Sequence, residues 1–181
     1  MNTKEEEKQL IERWEQSEEN AGRKEAIIKD IKENNTNWVK HLQKGDAWEE
    51  LPFIDSCKNR HLCSDNPSRD LRGVMISNET FNDIDVLAGT DFDYCTFENV
   101  TFYNVSFTGA TLRYTKFDEN CRFYDCKINH ADISFADCRE VIFERVDFTK
   151  SKLVGTCFAE AKLLNTDFSE VDSQPSHMRW G

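Results

Sequence analysis

The chain has 181 residues, which is enough for one sizeable domain or for one domain with a small appendage. Its net charge of -11, its 31% of charged residues and the lack of any apolar run near the roughly 18 residues that cross a bilayer predict a soluble protein without membrane association. The acidic balance also argues against direct nucleic-acid binding, which needs clustered Lys and Arg against the phosphates.

The amino terminus and the cysteines indicate a cellular compartment. The stretch "MNTKEEEKQLIERWEQSEEN" is acidic where a secretion signal would be basic and then apolar. Seven cysteines, an odd number, in a chain without such a signal favour reduced thiols over a disulfide framework. We therefore expect a cytoplasmic protein.

Residues 1–66 are predicted to form an α-helical extension that leads into a cap and linker. Apolar residues recur at helical spacing over about the first fifty positions. Trp38, Leu42 and Trp48 are predicted to plug the amino-terminal face of the domain that follows. Residues 1–33 either pack on that domain or project from it as a separate helical arm.

Within this linker, "CKNRHLC" brings Cys57, His61 and Cys63 close together, with His41 further upstream. A zinc site is conceivable, but the spacing lacks the paired Cys-x-x-Cys arrangement of known structural sites. We predict incidental thiols in a linker, and no metal or other cofactor.

From Phe92 onward, large residues recur every five positions, a period that neither a helix nor a strand has. With one extra residue after Phe117, the series is Phe92, Phe97, Phe102, Phe107, Leu112, Phe117, Phe123, Ile128, Ile133, Cys138, Phe143, Phe148, Leu153, Phe158, Leu163 and Phe168. Two residues before each member stands an Ala, Cys, Ser, Thr or Val. Two positions in every five therefore point inward, one bulky and one small, and the other three face water.

Two irregularities interrupt the series. The extra residue, in "FDENCRF", is predicted to form a bulge or, alternatively, a small protruding recognition loop. Upstream, Leu71, Ile76, Phe81 and Val86 keep the spacing, but the positions two before them are mostly unsuited to the small site. We expect an irregular first coil there.

The units "ADISF", "VDFTK", "AKLLN" and "TDFSE" carry the repeat in its clearest form. This pattern resembles the pentapeptide-repeat family over about residues 88–172. The resemblance implies a right-handed quadrilateral β-helix in which five residues form one wall and about twenty form a coil. We expect a mainly β fold of about four to five coils over residues 67–172, behind the α-helical extension and ahead of a carboxy-terminal tail at residues 173–181.

Large residues that stand one coil apart, about twenty positions with the extra residue counted, should lie above one another. This spacing predicts four core columns, one for each wall. The first wall carries Phe92, Leu112, Ile133 and Leu153; the second carries Phe97, Phe117, Cys138 and Phe158; the third carries Phe102, Phe123, Phe143 and Leu163; the fourth carries Phe107, Ile128, Phe148 and Phe168. Such columns fill the interior and leave no room for a ligand.

The tail after Phe168 decides how the last coil is closed. Trp180 could fold over it, or the open end could meet a second copy, so we expect a monomer or an end-to-end homodimer. Family members that act on DNA gyrase dimerise through their carboxy-terminal end, usually with a helix. This tail shows no helical period.

The walls carry the candidate interaction surface, which combines outward aromatics on the first wall with an acidic ladder on the second. Its members are Tyr94, Tyr114, Phe135, Glu119, Glu140 and Glu160. Aromatics in register stabilise a sheet by cross-strand stacking, and they can also form a docking strip for the amino-terminal arm or a partner. Both interpretations stay open.

The sequence predicts a protein that is not an enzyme. Its histidines are scattered, no nucleotide-binding or metal-helix motif appears, and a filled prism offers flat walls instead of a catalytic cleft. We expect a non-catalytic binding or scaffold protein whose partner is another protein. The alternative, which the resemblance implies and the acidic ladder favours, is a DNA mimic that binds a type II topoisomerase (DNA gyrase) and inhibits or protects it.

Overall fold

The computed structural model describes residues 3–15, 17–42, 69–172 and 179–180. Helix α1 spans Thr3–Glu15, helix α2 spans Glu18–Lys32, and a 3₁₀ helix follows at Thr36–Leu42. The hydroxyl of Ser17 accepts the Asn20 N–H and caps the start of α2. Within the described ranges, no helix has both the length and the apolar composition that crossing a bilayer requires.

Short parallel strands follow these helices. They are β1 Met75–Ser77, β2 Thr80–Ile84, β3 Thr96–Glu98, β4 Thr101–Val105, β5 Lys116–Phe117, β6 Arg122–Tyr124, β7 Ile142–Glu144, β8 Cys157–Phe158, β9 Lys162–Leu164 and β10 Arg179–Trp180. One sheet has the order β1-β3-β5, a second has β2-β4-β6-β7-β9, and β8 pairs with β10. Each strand pairs with a strand about twenty residues away in the chain, which is the topology of a β-helix.

Parallel bridges on the first wall mark the coils. The bridged residues are Asp70, Asp91, Thr111, Asp132, Lys152 and Asp172, each paired with the next. Successive steps are 20 or 21 residues, so residues 70–171 form five stacked coils, which we number from the amino terminus. The predicted mainly β fold, a β-helix with amino-terminal helices, is confirmed.

The core columns fill the interior. Fourteen of the sixteen large positions are buried, and the other two, Leu163 and Phe168, are partly buried in the last coil. Phe123 stacks on Phe102 at 4.7 Å and on Phe143 at 4.9 Å between ring centroids. Rings of neighbouring walls meet edge to face. Both arrangements are favourable for aromatic quadrupoles, so the columns form a solid interior.

Side chains at the small inward positions also donate hydrogen bonds. The hydroxyl of Thr115 donates to the Phe92 carbonyl at 2.9 Å, and that of Thr156 donates to the Ile133 carbonyl at the same distance. The Cys95 thiol donates to the Leu71 carbonyl at 3.1 Å. Each donor reaches the preceding coil, so Thr, Ser and Cys suit this site because they are small and satisfy a buried carbonyl.

Left-handed residues form the corners. The second residue after each large one has positive φ throughout the regular part, including the corners predicted from their residue type: Asn99, Asn104, Gly109, Gly155 and Asn165. The corner with the extra residue differs. There the side-chain carboxylate of Asp118 accepts hydrogen bonds from the backbone N–H groups of Asn99 and Asn120. The backbone carbonyl of Asp118 accepts one from the Cys121 N–H. The insertion is therefore a tight turn around Asp118.

The first coil is more regular than the sequence indicates. Leu71, Ile76, Phe81 and Val86 are all buried, and β1 and β2 pair in register with β3 and β4. Its irregularity is one additional residue between Val86 and Phe92, which makes the first step along the wall 21 residues long.

The amino-terminal face is closed by apolar residues of α2 and the 3₁₀ helix. Trp38 is fully buried and joins Ile27 and Ile31 in one cluster with the core columns, while Leu42 packs against that cluster. Trp38 and Leu42 thus occupy the predicted cap. Trp48 lies outside the described residues.

Side chains also satisfy the polar groups at this edge. The Trp38 Nε1–H and the Arg69 guanidinium donate to the Val86 carbonyl at 3.3 Å and 2.8 Å. The Asn34 side-chain oxygen accepts the N–H groups of Asp85 and Val86. These satisfied groups cannot pair with another chain, so this part of the edge is protected against edge-to-edge association.

At the carboxy-terminal end the tail returns to the second wall. Arg179 pairs with Cys157 and Trp180 with Phe158, which places Trp180 in the register of the second core column. The backbone of the tail thus pairs with the last coil along part of the second wall. Strand β9 has a neighbour on one side only within the described residues.

Candidate interaction surface on the first wall

Three aromatic residues form a column at the corner where the first wall ends. Tyr94 stacks on Tyr114 at 5.0 Å with an interplanar angle of 6°, and Tyr114 stacks on Phe135 at 5.1 Å and 8°. All three have left-handed backbones, with φ of 61°, 57° and 63°. That conformation is costly for a bulky L-residue, so stacking between coils offsets local strain.

Exposure rises steadily along this column. Tyr94 is 8% exposed, Tyr114 is half-buried and Phe135 is 49% exposed. In the next coil the corner residue is Gly155, and a Cβ there would lie 2.6 Å from Cδ1 of Phe135. The Phe135 ring therefore covers the glycine, and the column ends on it.

Helix α1 lies on the first wall beside the buried end of the column. A Cβ at Gly73, the corner residue above Tyr94, would come within 2.5 Å of the Leu10 backbone. Two coils further, the Glu7 carboxylate accepts a hydrogen bond from Lys116 Nζ at 2.6 Å. Between these contacts α1 must cross the second coil. Residues 3–15 are thus packed on the β-helix and do not project.

The carboxy-terminal half of α1 is held by hydrogen bonds to the first coil. The Arg13 guanidinium donates to both carboxylate oxygens of Asp70, at 2.9 and 3.1 Å, and to the Arg72 carbonyl at 2.7 Å. The Trp14 Nε1–H donates to the same carbonyl at 2.9 Å. Arg13 and Trp14 are 4% and 3% exposed, so the hydrogen bonds to the Arg72 carbonyl are buried and those to Asp70 are partly buried.

Where α1 meets the wall, six charged side chains form a cluster, one from the helix and five from the wall. Its members are Arg13, Asp70, Arg72, Asp91, Asp93 and Arg113. Arg72 binds Asp70 at 2.8 Å, and Arg113 donates to the Asp93 carboxylate through its Nε at 2.8 Å and through a second guanidinium nitrogen. Asp91 accepts the Thr111 hydroxyl at 2.7 Å and lies 3.8 Å from Arg72.

Two carboxylates of this cluster, Asp70 and Asp91, have pKa values shifted in opposite directions. Burial alone would raise the pKa of Asp70, but the charges and hydrogen bonds of Arg13 and Arg72 outweigh it and hold that pKa well below the usual value. For Asp91, burial and the neighbouring carboxylates of Asp93 and Asp70 prevail over Arg72 and raise the pKa to about 7.

The acidic residues predicted on the second wall are all exposed but differ in backbone conformation. Glu140 and Glu160 are exposed and occupy successive left-handed corners, with φ of 63° and 59°. Glu119 is exposed as well, but it belongs to the tight turn around Asp118 and lacks the corner conformation. The nearby Asp137 carboxylate is bound by Arg139 at 2.7 Å.

Comparison with known sequences identifies the repeat. The family description "Pentapeptide repeats" matches residues 81–127 and, in a second form, residues 126–163. The chain is a pentapeptide-repeat protein. No curated protein matches it.

Several solved structures resemble this pentapeptide-repeat protein. A pentapeptide repeat protein from the thylakoid lumen of Arabidopsis thaliana is 23% identical, with 55% of this chain and 61% of that chain covered and a TM-score of 0.28. One from the cyanobacterium Cyanothece is 13% identical, with 62% and 88% covered and a TM-score of 0.28. QnrB1, a plasmid-mediated fluoroquinolone resistance protein, is also 13% identical, with 59% and 92% covered and a TM-score of 0.18. At these TM-scores the similarity carries no argument about function.

The cysteines of the pentapeptide-repeat protein fill core sites. Cys95, Cys121, Cys126 and Cys138 are buried, and Cys157 is partly exposed on the second wall. Burial raises the pKa of Cys121 and Cys126 to about 12 and raises those of Cys95 and Cys138 well above the usual value. These four thiols are poor nucleophiles at neutral pH.

The structure contains no candidate metal site within the described residues, where no three His, Cys, Asp or Glu side chains are grouped suitably. His41 binds the Asp30 carboxylate at 3.0 Å. Cys57, His61 and Cys63 lie outside the described residues, so the prediction that they form no zinc site stays a prediction.

The sequence did not indicate the charged cluster beneath α1. Arg13 is one of many charges in an acidic helix, and Asp70, Asp91 and Asp93 occupy positions expected to face water. The available signal was the spacing of Leu10, Arg13 and Trp14, which places all three on one helix face. An arginine between two apolar residues on a buried face needs a carboxylate partner.

Proposed function

We propose that this pentapeptide-repeat protein is a non-catalytic binding or scaffold protein that docks another protein on its walls. One observation carries the proposal: the aromatic column of the first wall passes from 8% exposure at Tyr94 to 49% at Phe135. An aromatic side chain held rigidly at a surface loses little conformational entropy on binding, which makes it a suitable anchor for a partner.

The packing also favours binding over catalysis. Pentapeptide-repeat proteins are generally scaffolds without catalytic activity. In the described part of this chain the columns fill the interior. A surface depression of about 160 Å³ at the corner of the third and fourth walls is lined by Asp83, Asn104, Lys127 and neighbouring residues. It is shallow and lacks a nucleophile paired with a base.

Affinity capture with matched variants tests the proposal. Phe135→Glu should remove the exposed anchor without disturbing the corner, because Glu140 and Glu160 show that glutamate adopts the same left-handed conformation. His130→Glu is the control, since His130 is an exposed corner residue with φ of 55° on the fourth wall. We expect the wild type and His130→Glu to retain the same protein and Phe135→Glu to lose it. A partner retained equally by all three, or by none, contradicts the proposal.

A second candidate is DNA mimicry toward a type II topoisomerase. The observation in its favour is the pair of exposed carboxylates at Glu140 and Glu160 on successive coils. A gyrase supercoiling assay tests it: a mimic inhibits supercoiling or protects the enzyme from quinolone at micromolar protein, and Glu140→Lys with Glu160→Lys abolishes the effect. No effect of the wild type eliminates this candidate.

We further propose a cytoplasmic location and a monomer or end-to-end homodimer. The location is supported by the five free cysteines of the described residues, four of which are buried as reduced packing residues. An end-to-end contact would involve the last coil, where β9 has one neighbouring strand in the part of the chain that the structure describes. Light scattering across a tenfold range of concentration distinguishes the two oligomeric states.

A further inference from the structure

The contact between α1 and the first wall has the composition of a specific helix-docking site. Leu10, Arg13 and Trp14 are 1%, 4% and 3% exposed and stand at positions i, i+3 and i+4 of one helix face. The wall supplies a partner for each. Gly73 lets the Leu10 backbone approach closely, Asp70 binds Arg13, and the Arg72 carbonyl accepts the Trp14 N–H.

The wall has one more carboxylate than guanidinium in this cluster, and a cation of the helix balances it. The cluster contains three carboxylates of the wall, Asp70, Asp91 and Asp93, but only two guanidiniums of the wall, Arg72 and Arg113. The third guanidinium, Arg13, belongs to α1 and lies against Asp70 at 2.9 Å. A docked helix without an arginine here would leave a buried carboxylate without its full complement of positive charge.

The surface extends beyond what α1 covers. Glu7 of α1 reaches Lys116 in the third coil, whereas Phe135, one coil further along the same aromatic column, is 49% exposed. A longer helix of the same chemistry could bury more of the column than α1 does.

We propose that the first wall is a docking surface for an amphipathic helix of a partner protein, which carries an apolar residue followed three and four positions later by an arginine and an aromatic residue, and that α1 fills this surface when the partner is absent. The proposal rests on the proposed binding function and names its site and its partner class. A partner helix must then displace α1 from the wall. It binds only if its own affinity for the wall exceeds the free energy with which α1 is docked there.

Competition between α1 and a helical probe in trans tests this proposal. The probe is a fluorescein-labelled peptide of residues 1–17, "MNTKEEEKQLIERWEQS", with a lactam bridge between Lys8 and Glu12. These side chains already form an exposed i,i+4 pair at 3.6 Å, so the bridge fixes the helix without touching its docking face. Fluorescence anisotropy measures its binding to the full chain.

We expect the Arg13→Ala chain to bind the probe at least ten times more tightly than the wild type does, since its own helix competes less. Leu10→Ala weakens α1 without removing an ion pair and should give a similar gain, which covers a failure of Arg13→Ala to fold. Adding Lys116→Ala to the Arg13→Ala or the Leu10→Ala chain should lower its affinity for the probe, because the substitution removes the contact with Glu7 of the probe. A probe with alanine in place of its arginine should bind none of these chains.

The proposal is overturned if the probe binds neither the Arg13→Ala nor the Leu10→Ala chain at protein concentrations up to about 100 µM. Such a result means a binding free energy weaker than about 5.5 kcal/mol. Binding that is indifferent to the arginine of the probe overturns it as well. These outcomes are distinguishable from failure of the proposed function. If Phe135→Glu abolishes capture of a partner while the probe fails to bind, the binding function stands and the helical nature of the partner is refuted.

Discussion

Arg13 on α1 and Asp70 at the start of the first coil form a bidentate ion pair across 57 positions of sequence, with nitrogen–oxygen distances of 2.9 and 3.1 Å. The Arg13 side chain is 4% exposed and that of Asp70 is 23% exposed. Partly buried bidentate pairs are directional and costly to break. This pair therefore fixes where α1 lies on the wall.

Arg13→Ala should release α1 while the coils stay folded. Removing one partner of a fully buried pair costs about 3 to 5 kcal/mol, and the cost here is smaller because Asp70 is partly exposed and keeps Arg72 as a partner. We expect amide hydrogen exchange to accelerate by at least a hundredfold in residues 3–15 and to change little in the second to fourth coils.

Glu12→Ala is the matched control in the same helix. Among the described residues Glu12 pairs only with Lys8, at 3.6 Å, and the two side chains are 47% and 64% exposed. Such pairs contribute about 0.3 to 0.5 kcal/mol, so exchange in α1 should stay near the wild-type rate. Equal acceleration in both variants would show that the Arg13–Asp70 pair does not hold the helix.

Phe123→Asp should abolish folding. Phe123 is 1% exposed and stacks between Phe102 and Phe143, so the substitution places a charge without a partner in the interior. Its control, Glu119→Ala, changes an exposed turn residue and should alter the free energy of unfolding by less than about 0.5 kcal/mol. Similar thermal midpoints for both variants would contradict the core assignment.

Asp91→Asn should stabilise the protein at alkaline pH. The folded pKa of Asp91, about 7, exceeds that of an unfolded aspartate, so its favourable contribution is complete below about pH 4 and disappears as the pH rises through 7. Asparagine keeps the oxygen that accepts the Thr111 hydroxyl but cannot ionise. Against Asp85→Asn, an exposed control, urea unfolding should show a gain of about 1 kcal/mol or more at pH 8 and little gain at pH 5. A larger gain at pH 5 would reverse the assigned sign.

Two corner glycines should differ in their tolerance of alanine. Gly109 and Gly155 have nearly the same φ, 68° and 71°, but a Cβ meets nothing within 4 Å at Gly109 and lies 2.6 Å from the Phe135 ring at Gly155. Gly109→Ala should therefore cost only the backbone strain, about 1 kcal/mol. Gly155→Ala should cost more, and Phe135→Ala in the same chain should remove the excess. Thermal unfolding of the set checks the coupling, and equal effects of the two alanines would refute it.

Thiol titration should distinguish buried from accessible cysteines. In a chain with Cys57→Ser and Cys63→Ser, five cysteines remain, of which only Cys157 is partly exposed. We expect Ellman's reagent to modify one thiol rapidly in the native protein and five in urea, because burial hinders access and raises the pKa of the other four. Rapid modification of two or more thiols in the native protein would contradict the assignment of the other four cysteines to inward positions.

The repeat was predictable because each five-residue unit states its own geometry. The bulky position of Phe97 and the small position of Cys95 are decided by local sterics, and every coil repeats the requirement. The first coil was harder to interpret, since Arg69, Glu79 and Ile84 stand where the regular coils hold a small residue. Ile84 is nevertheless buried.

The position of α1 could not be predicted, because it depends on interactions between distant parts of the chain. The wall position of Asp70 and Asp91 holds the exposed residues Lys152 and Asp172 in later coils, whereas near α1 it belongs to the charged cluster. Likewise Gly73 signals a corner in the sequence, whereas its second role, close approach of Leu10, exists only in the folded protein.

Photocrosslinking in cells tests the central claim, docking of another protein on the first wall, most directly. The photoreactive residue p-benzoylphenylalanine would replace Phe135 at the exposed end of the aromatic column or, as the comparison, His130 on the fourth wall. The account predicts a discrete protein adduct at position 135 and none at position 130. Adducts of the same protein at both positions, or none at 135 with the protein folded, would contradict it.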